Sequence, residues 1–126
     1  MKILIIEDDA AMRALLRDVL ERAGHGVVER PDGKGLPTLI EPGAFDAVVL
    51  DKELPGVNGL DLLSFLRHRA PALPVILVTA FGGQRVAEEA AGRGAVAYLE
   101  KPFRMETVVD ALAAVQASSA ATPSGR

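Results

Sequence analysis

The chain has 126 residues, a net charge of −3, 49% apolar residues and no cysteine. That length suits one domain with a real core. The missing cysteines exclude disulfides and thiolate metal sites, and the acidic balance argues against a nonspecific nucleic-acid grip by this domain. No apolar run approaches a membrane span, and Met1 leads straight into the first run, so neither a membrane segment nor a signal peptide is expected and the predicted location is cytoplasmic.

The first run, KILII at residues 2–6, predicts a strand that ends at Glu7 and Asp8. A helix follows over residues 10–23, with Met12, Leu15, Leu16, Val19, Leu20 and Ala23 on one face and Gly24 suited to its C-terminal cap. HGVVER reads as a short second strand at a sheet edge. Residues 33–42 hold a second helix, made weak and short by Gly35, Pro37 and Pro42. Residues 45–50 form the third strand, which runs into Asp51. LPGVNG is a turn-rich loop with Asn58 as an N-cap. Residues 60–69 are helical, with Leu62, Leu63, Phe65 and Leu66 inward, and stop before Pro71. Residues 74–78 form the fourth strand, ending at Thr79, and residues 84–91 a short polar helix. Residues 95–99 form the fifth strand, whose run AVAYLE leads to Lys101. The last helix covers residues 103–117 and buries Met105, Val108, Val109, Leu112 and Val115. The domain spans residues 1–117, and residues 118–126, small and polar, read as a flexible tail or the start of a linker.

Short apolar runs bounded by turn signals read as fully buried strands of a parallel sheet. Five strand–helix units predict an α/β, doubly wound sheet with right-handed crossovers and helices on both faces. Ligands of such sheets sit at the carboxyl ends of the strands, so Glu7, Asp8, Asp51, Thr79 and Lys101 should meet at one edge. If the first and third strands are neighbours, the three carboxylates crowd together. At ~4 Å each like-charge pair costs about 1 kcal/mol in water and about 4 kcal/mol at an effective dielectric of 20. A cation relieves this, and oxygen ligands with open positions favour Mg²⁺, with Mn²⁺ as a substitute. An aspartate beside such an ion can attack phosphorus and form an aspartyl phosphate. Lys101 then pairs with the phosphoryl charge, Thr79 hydrogen-bonds it, and small Ala80 leaves room for a donor. Each residue also has a plainer role: Asp8 or Asp9 capping the first helix, Asp51 a loop, Thr79 a strand-end hydroxyl, Lys101 a solvated charge. Against this stands the coincidence of complementary groups at the ends of the strands.

The acidic pair in KILIIEDD, the stretch VVLDKELPGVNGLDLL, VILVTA and GAVAYLEKPF resemble the response-regulator receiver domain of two-component systems, over the chain to about Ala117. The resemblance implies a flavodoxin-like five-stranded parallel sheet of order 2-1-3-4-5. It puts the family's acidic pair on Glu7 and Asp8, with Asp9 an extra acid. Asp51 is then the phosphoacceptor, Asp8 the main direct metal ligand, Glu7 a ligand through water, and the Glu53 backbone carbonyl a further ligand. Thr79 is the switch hydroxyl, Tyr98 the switch aromatic and Lys101 the phosphate-pairing amine, followed by a cis bond to Pro102. The implied function is a phosphorylation-dependent signalling switch, catalytic only toward its own phosphorylation and dephosphorylation. The implied donor is a histidine kinase or phosphotransfer protein, in a Mg²⁺-dependent reaction. The fourth helix, fifth strand and fifth helix form the output surface toward an effector or a second copy of the chain. Glu53, Ala80 and Phe81 are placed to modulate the chemistry, Glu53 by steering or excluding attacking water. Many relatives carry apolar or neutral residues at Lys52 and Glu53, and the second helix lacks their alanine–leucine pattern. Both departures bear on kinetics and partner choice.

The alternative function is an aspartyl-phosphate phosphatase of the haloacid-dehalogenase kind, since Asp51-Lys52-Glu53 resembles its DxD. Those enzymes carry the nucleophile on their first strand. A flavodoxin-like cofactor module has only Phe81 and Tyr98 to stack on a flavin. Gly92-Arg93-Gly94 precedes a strand instead of following one, so it reads as a helix end and turn and not as a dinucleotide fingerprint. His25 and His68 are expected at the surface, and no P-loop, HExxH or GxSxG motif is present.

Overall fold

Alternate side chains of a strand face opposite ways, so a strand of unbroken apolar residues needs cover on both sides. In a computed structural model, which describes residues 1–121 and the side chains of residues 1–118, that cover comes from five helices. The order is β1 (Lys2–Ile6), α1 (Ala10–Arg22), β2 (Gly26–Arg30), α2 (Leu36–Leu39), β3 (Ala47–Asp51), β4 (Glu53–Leu54), β5 (Val57–Asn58), α3 (Gly59–Arg69), β6 (Val75–Thr79), α4 (Gln84–Gly92), β7 (Ala97–Glu100) and α5 (Met105–Ala121). β2-β1-β3-β6-β7 form one parallel sheet. This is the expected 2-1-3-4-5 order with β6 and β7 as the fourth and fifth strands.

Ile3 and Ile5 of β1, Val49 of β3 and Ile76 and Val78 of β6 pack with Leu16 and Leu20 of α1 and Val108 and Leu112 of α5. Leu4, Ile6, Val48, Leu50, Val75 and Leu77 face the other way, onto Leu36, Leu63, Leu66 and Ala90. Register aligns the strand ends: Ile6 sits opposite Leu50, Asp51 opposite Val78, and Thr79 opposite Glu100. The residues that follow these ends therefore share one edge.

Several expectations are corrected. Leu15 is 47% exposed. At 100° per residue it lies a full step from Leu16, the centre of the buried stripe, on the side α1 turns to solvent. Ala23 is the exposed C-cap, beyond the stripe's end. β7 is not fully buried: Ala97, Tyr98 and Leu99 are half-covered, because β7 has one sheet neighbour and is an edge. The LPGVNG loop holds a small antiparallel pair, β4 with β5. Pro55 and Gly56 make its turn, with Gly56 at φ +71°, as a type II turn requires. α5 continues to Ala121, and residues 122–126 of the expected tail lie outside the described residues. His68 is exposed, while His25 is half-buried with Nδ1 3.1 Å from the Met1 amine. The Gly92–Gly94 stretch is a helix end and turn, as expected, with Gly94 at φ +100°.

Candidate functional site

β1 and β3 deliver Glu7 and Asp51 to the same edge, and both are buried, at 1% and 2% exposure. Asp8 is exposed. One carboxylate oxygen from each of Glu7, Asp8 and Asp51 lies within 4.8 Å of the others, close enough for all three to reach one cation. An all-oxygen set with one member open to solvent suits a hard cation that keeps water ligands. Lys101, just past β7, reaches back across the sheet edge. Its Nζ lies 3.0 Å from Glu7 Oε1 and 3.3 Å from Asp51 Oδ2. One ammonium thus faces two buried carboxylates. Burial first, then the adjoining Asp51, push Glu7 up to about 7, against the lowering pull of Lys101 and of the Asp9 N–H. Lys101 is raised: burial opposes its charge, but Glu7 and Asp51 outweigh that. The Lys101–Pro102 bond is cis.

Asp9 is not part of the cluster. Its Oδ1 accepts from the N–H groups of Ala11 and Met12 at 2.9 and 3.1 Å, so it caps α1. Its own N–H donates to Glu7 Oε2 at 3.1 Å and orients that carboxylate. Asp51 Oδ1 is oriented in the same way by the Glu53 N–H at 3.0 Å.

Thr79, fully buried at the end of β6, does not turn its proton toward Asp51. Its Oγ1 donates to Glu53 Oε2 at 2.6 Å and accepts from the Phe81 N–H at 3.0 Å. The Ala80 N–H donates to Glu53 Oε1 at 2.8 Å, and Lys52 Nζ stands 3.2 Å from Glu53 Oε2. Burial works against the Glu53 charge, yet Thr79, Ala80 and Lys52 together hold its carboxyl below the usual range. Tyr98 is likewise engaged at the rim. Its hydroxyl donates to Glu100 Oε2 at 2.9 Å and accepts from the Gly83 N–H at 3.1 Å. Phe81 projects beside the site and is 71% exposed.

Sequence reading missed three contributors. Arg13 donates from Nη1 to the carbonyls of Glu7 and Asp8, at 2.8 and 3.3 Å, while its Nε pairs with Glu29 at 3.1 Å. It fixes the backbone that presents the acids. Gly59 packs so closely on the Lys52 backbone that a Cβ would collide with Lys52 Cα and its carbonyl oxygen. The Glu53 carboxylate, as the partner of Thr79, is the third.

A family model described as the response regulator receiver domain matches residues 3–113. The response regulator protein FleR of Pseudomonas aeruginosa is 39% identical over 112 residues, 89% of this chain and 24% of FleR. The Francisella response regulator 1452 receiver domain matches with a TM-score of 0.86 at 26% identity, covering 94% of this chain and 98% of that one. A response regulator protein from Burkholderia pseudomallei, solved with a phosphorylated aspartic acid, a calcium ion and citrate, matches with a TM-score of 0.80 at 28% identity, covering 97% and 75%. The chain spans about a quarter of FleR's length. The haloacid-dehalogenase alternative finds no support: Asp51 ends β3, not the first strand, and the family match runs through it.

Proposed function

Because this chain belongs to the response regulator receiver domain family, we propose that it is a signalling switch whose phosphoacceptor is Asp51. An Asp51 carboxylate oxygen attacks phosphorus. The bond from phosphorus to the donor breaks, and its electron pair leaves on the imidazole nitrogen of a phosphohistidine or the oxygen of an acyl phosphate. Hydrolysis reverses the modification: water attacks phosphorus, the Asp51 carboxylate leaves, and inorganic phosphate and a proton are released. The observation that carries this reading is the buried Asp51 carboxylate, joined by Lys101 Nζ at 3.3 Å and by Glu7 and Asp8 oxygens within 4.8 Å. The phosphorylated aspartic acid of the Burkholderia pseudomallei relative supports it.

Lys101 balances the phosphoryl charge, and Thr79 supplies a hydroxyl proton to a phosphoryl oxygen. Glu7 and Asp8, with Asp51 and the Glu53 carbonyl, would hold a divalent cation, Mg²⁺ or Mn²⁺, which would supply positive charge to offset the phosphoryl oxygens. Asp8 would be the direct ligand and Glu7 would act through water. Ala80 leaves the approach open, and Phe81 shapes its rim. The calcium ion of the same relative supports divalent binding. The donor is a histidine kinase or phosphotransfer protein. α4, β7 and α5 present the changed surface to an effector or a second copy. No described helix is long and apolar enough to cross a membrane; the site of action in this reading is the cytoplasm. The domain extends through α5, which reaches Ala121, and it acts on no substrate beyond its own phosphate.

The test is intact mass after incubation with acetyl phosphate and Mg²⁺. Wild type gains one phosphoryl group and Asp51→Asn gains none. An undiminished adduct in Asp51→Asn overturns the assignment.

A further inference from the structure

Glu53 holds two donors at the end of β6. Oε2 accepts from Thr79 Oγ1 at 2.6 Å, and Oε1 accepts from the Ala80 N–H at 2.8 Å. The first contact has the length of a charge-assisted O–H to carboxylate bond. Thr79 Oγ1 also accepts from the Phe81 N–H at 3.0 Å, so its single proton is committed to Glu53. The Ala80 N–H has one proton as well. Neither donor can serve a second anion while Glu53 keeps it.

We propose that the Glu53 carboxylate is an internal competitor for a phosphoryl group on Asp51: it occupies the Thr79 hydroxyl and the Ala80 N–H in the unphosphorylated protein and has to let go before the switch can turn. The inference rests on the roles given above to Asp51 and Thr79. Backbone placement makes release a side-chain event. The Glu53 N–H is tied to Asp51 Oδ1 at 3.0 Å, and the Lys52 backbone is wedged against Gly59. The loop stays, and the carboxylate rotates out toward Lys52, whose Nζ already stands 3.2 Å away. Glu53 thereby sets how readily the phosphorylated arrangement forms, a role separate from steering water. It is a positioning residue acting through Thr79.

The probe is beryllofluoride with Mg²⁺, titrated by NMR into wild type, Glu53→Gln, Glu53→Ala, Thr79→Val and Glu53→Gln/Thr79→Val. Glu53→Gln keeps the side chain's length and loses its charge. It should bind on the order of tenfold more tightly than wild type, the worth of one charge-assisted hydrogen bond, and its Ala80 amide should already be shifted before beryllofluoride is added. In the Thr79→Val background the gain should shrink to about threefold or less, because contacting residues couple. Wild-type affinity in both Glu53→Gln and Glu53→Ala overturns the competitor and leaves the Asp51 reading standing. A full gain in the Thr79→Val background also overturns it, since a plain field effect needs no hydroxyl. If wild type binds no beryllofluoride and accepts no phosphate, the Asp51 reading fails and the competitor with it.

Discussion

Lys101 Nζ stands 3.3 Å from Asp51 Oδ2, and the same ammonium stands 3.0 Å from Glu7 Oε1. Two buried carboxylates therefore share one cation, with the exposed Asp8 adding a third negative charge beside them. Asp51→Asn removes one charge from this crowd and leaves Lys101 paired with Glu7. The amide oxygen can still take the Glu53 N–H. Without metal, and at a pH above 7 where Glu7 is ionised, Asp51→Asn should be more stable than wild type by about 1 kcal/mol, the low end of a like-charge contact at this separation. Urea unfolding in EDTA measures it. A less stable Asp51→Asn shows that Lys101 already neutralises the pair.

Divalent metal should stabilise the wild type by mass action, by about 2.7 kcal/mol at a hundredfold excess over its Kd. Asp8→Ala should lose most of that gain. Asp9→Ala should behave differently: losing the α1 cap costs about 1 kcal/mol with or without metal, while the Mg²⁺-induced rise in Tm stays near that of wild type. Thermal melts with and without millimolar Mg²⁺ separate the two. Equal loss of the Mg²⁺ response in both variants puts Asp9 among the ligands.

That contrast marks where sequence reading stops. The two core faces were legible because unbroken apolar runs demand cover on both sides, and the convergence of Asp51 and Lys101 was legible because each follows a strand of one parallel sheet. Residue type alone did not separate Asp8 from Asp9, since either can cap a helix or ligate a metal; the resemblance put the pair on Glu7 and Asp8, and the Asp9 contacts to Ala11 and Met12 agree with that. The Glu53–Thr79 bond was hidden for another reason. Its partners lie 26 residues apart, and the contact depends on side-chain reach, which periodicity does not carry. Leu15 shows the same limit on a helix: apolar character alone does not say where the stripe ends.

Gly59 should matter to the site more than its place in a turn suggests. A Cβ there meets backbone of Lys52, which cannot yield as a flexible side chain does. Gly59→Ala should cost roughly 1–3 kcal/mol, the usual range for overpacking. It should also displace the loop that carries the Glu53 carbonyl and so weaken Mg²⁺ binding. Urea unfolding and Mg²⁺ titration check both effects. Unchanged stability means that the loop accommodates the methyl group.

Thr79 and Tyr98 should carry the signal outward. Tyr98 is held at the rim by Glu100 Oε2 and the Gly83 N–H, and Gly82 packs so closely on both side chains that a Cβ there would collide with them. Burial and then Glu100 raise the Tyr98 hydroxyl above its ordinary value, so it stays a donor. Once Thr79 turns its proton to a phosphoryl oxygen, space opens behind it. Tyr98, on the neighbouring strand two register positions from Thr79, can leave Glu100 and rotate into that space. The ring either fits or does not, so the element has two states. Coupling between such sites is typically about 1–3 kcal/mol, which leaves the active state thinly populated before phosphorylation. Glu100→Gln, by weakening the outward hold, should raise that population. Thr79→Ala should accept phosphate at Asp51 and yet lose most of the response, because no hydroxyl moves and no space is vacated. Amide chemical shifts along α4 and β7, with and without beryllofluoride, read this directly. A full wild-type shift pattern in Thr79→Ala would mean that the coupling bypasses the hydroxyl and reaches β7 through the backbone of β6 instead.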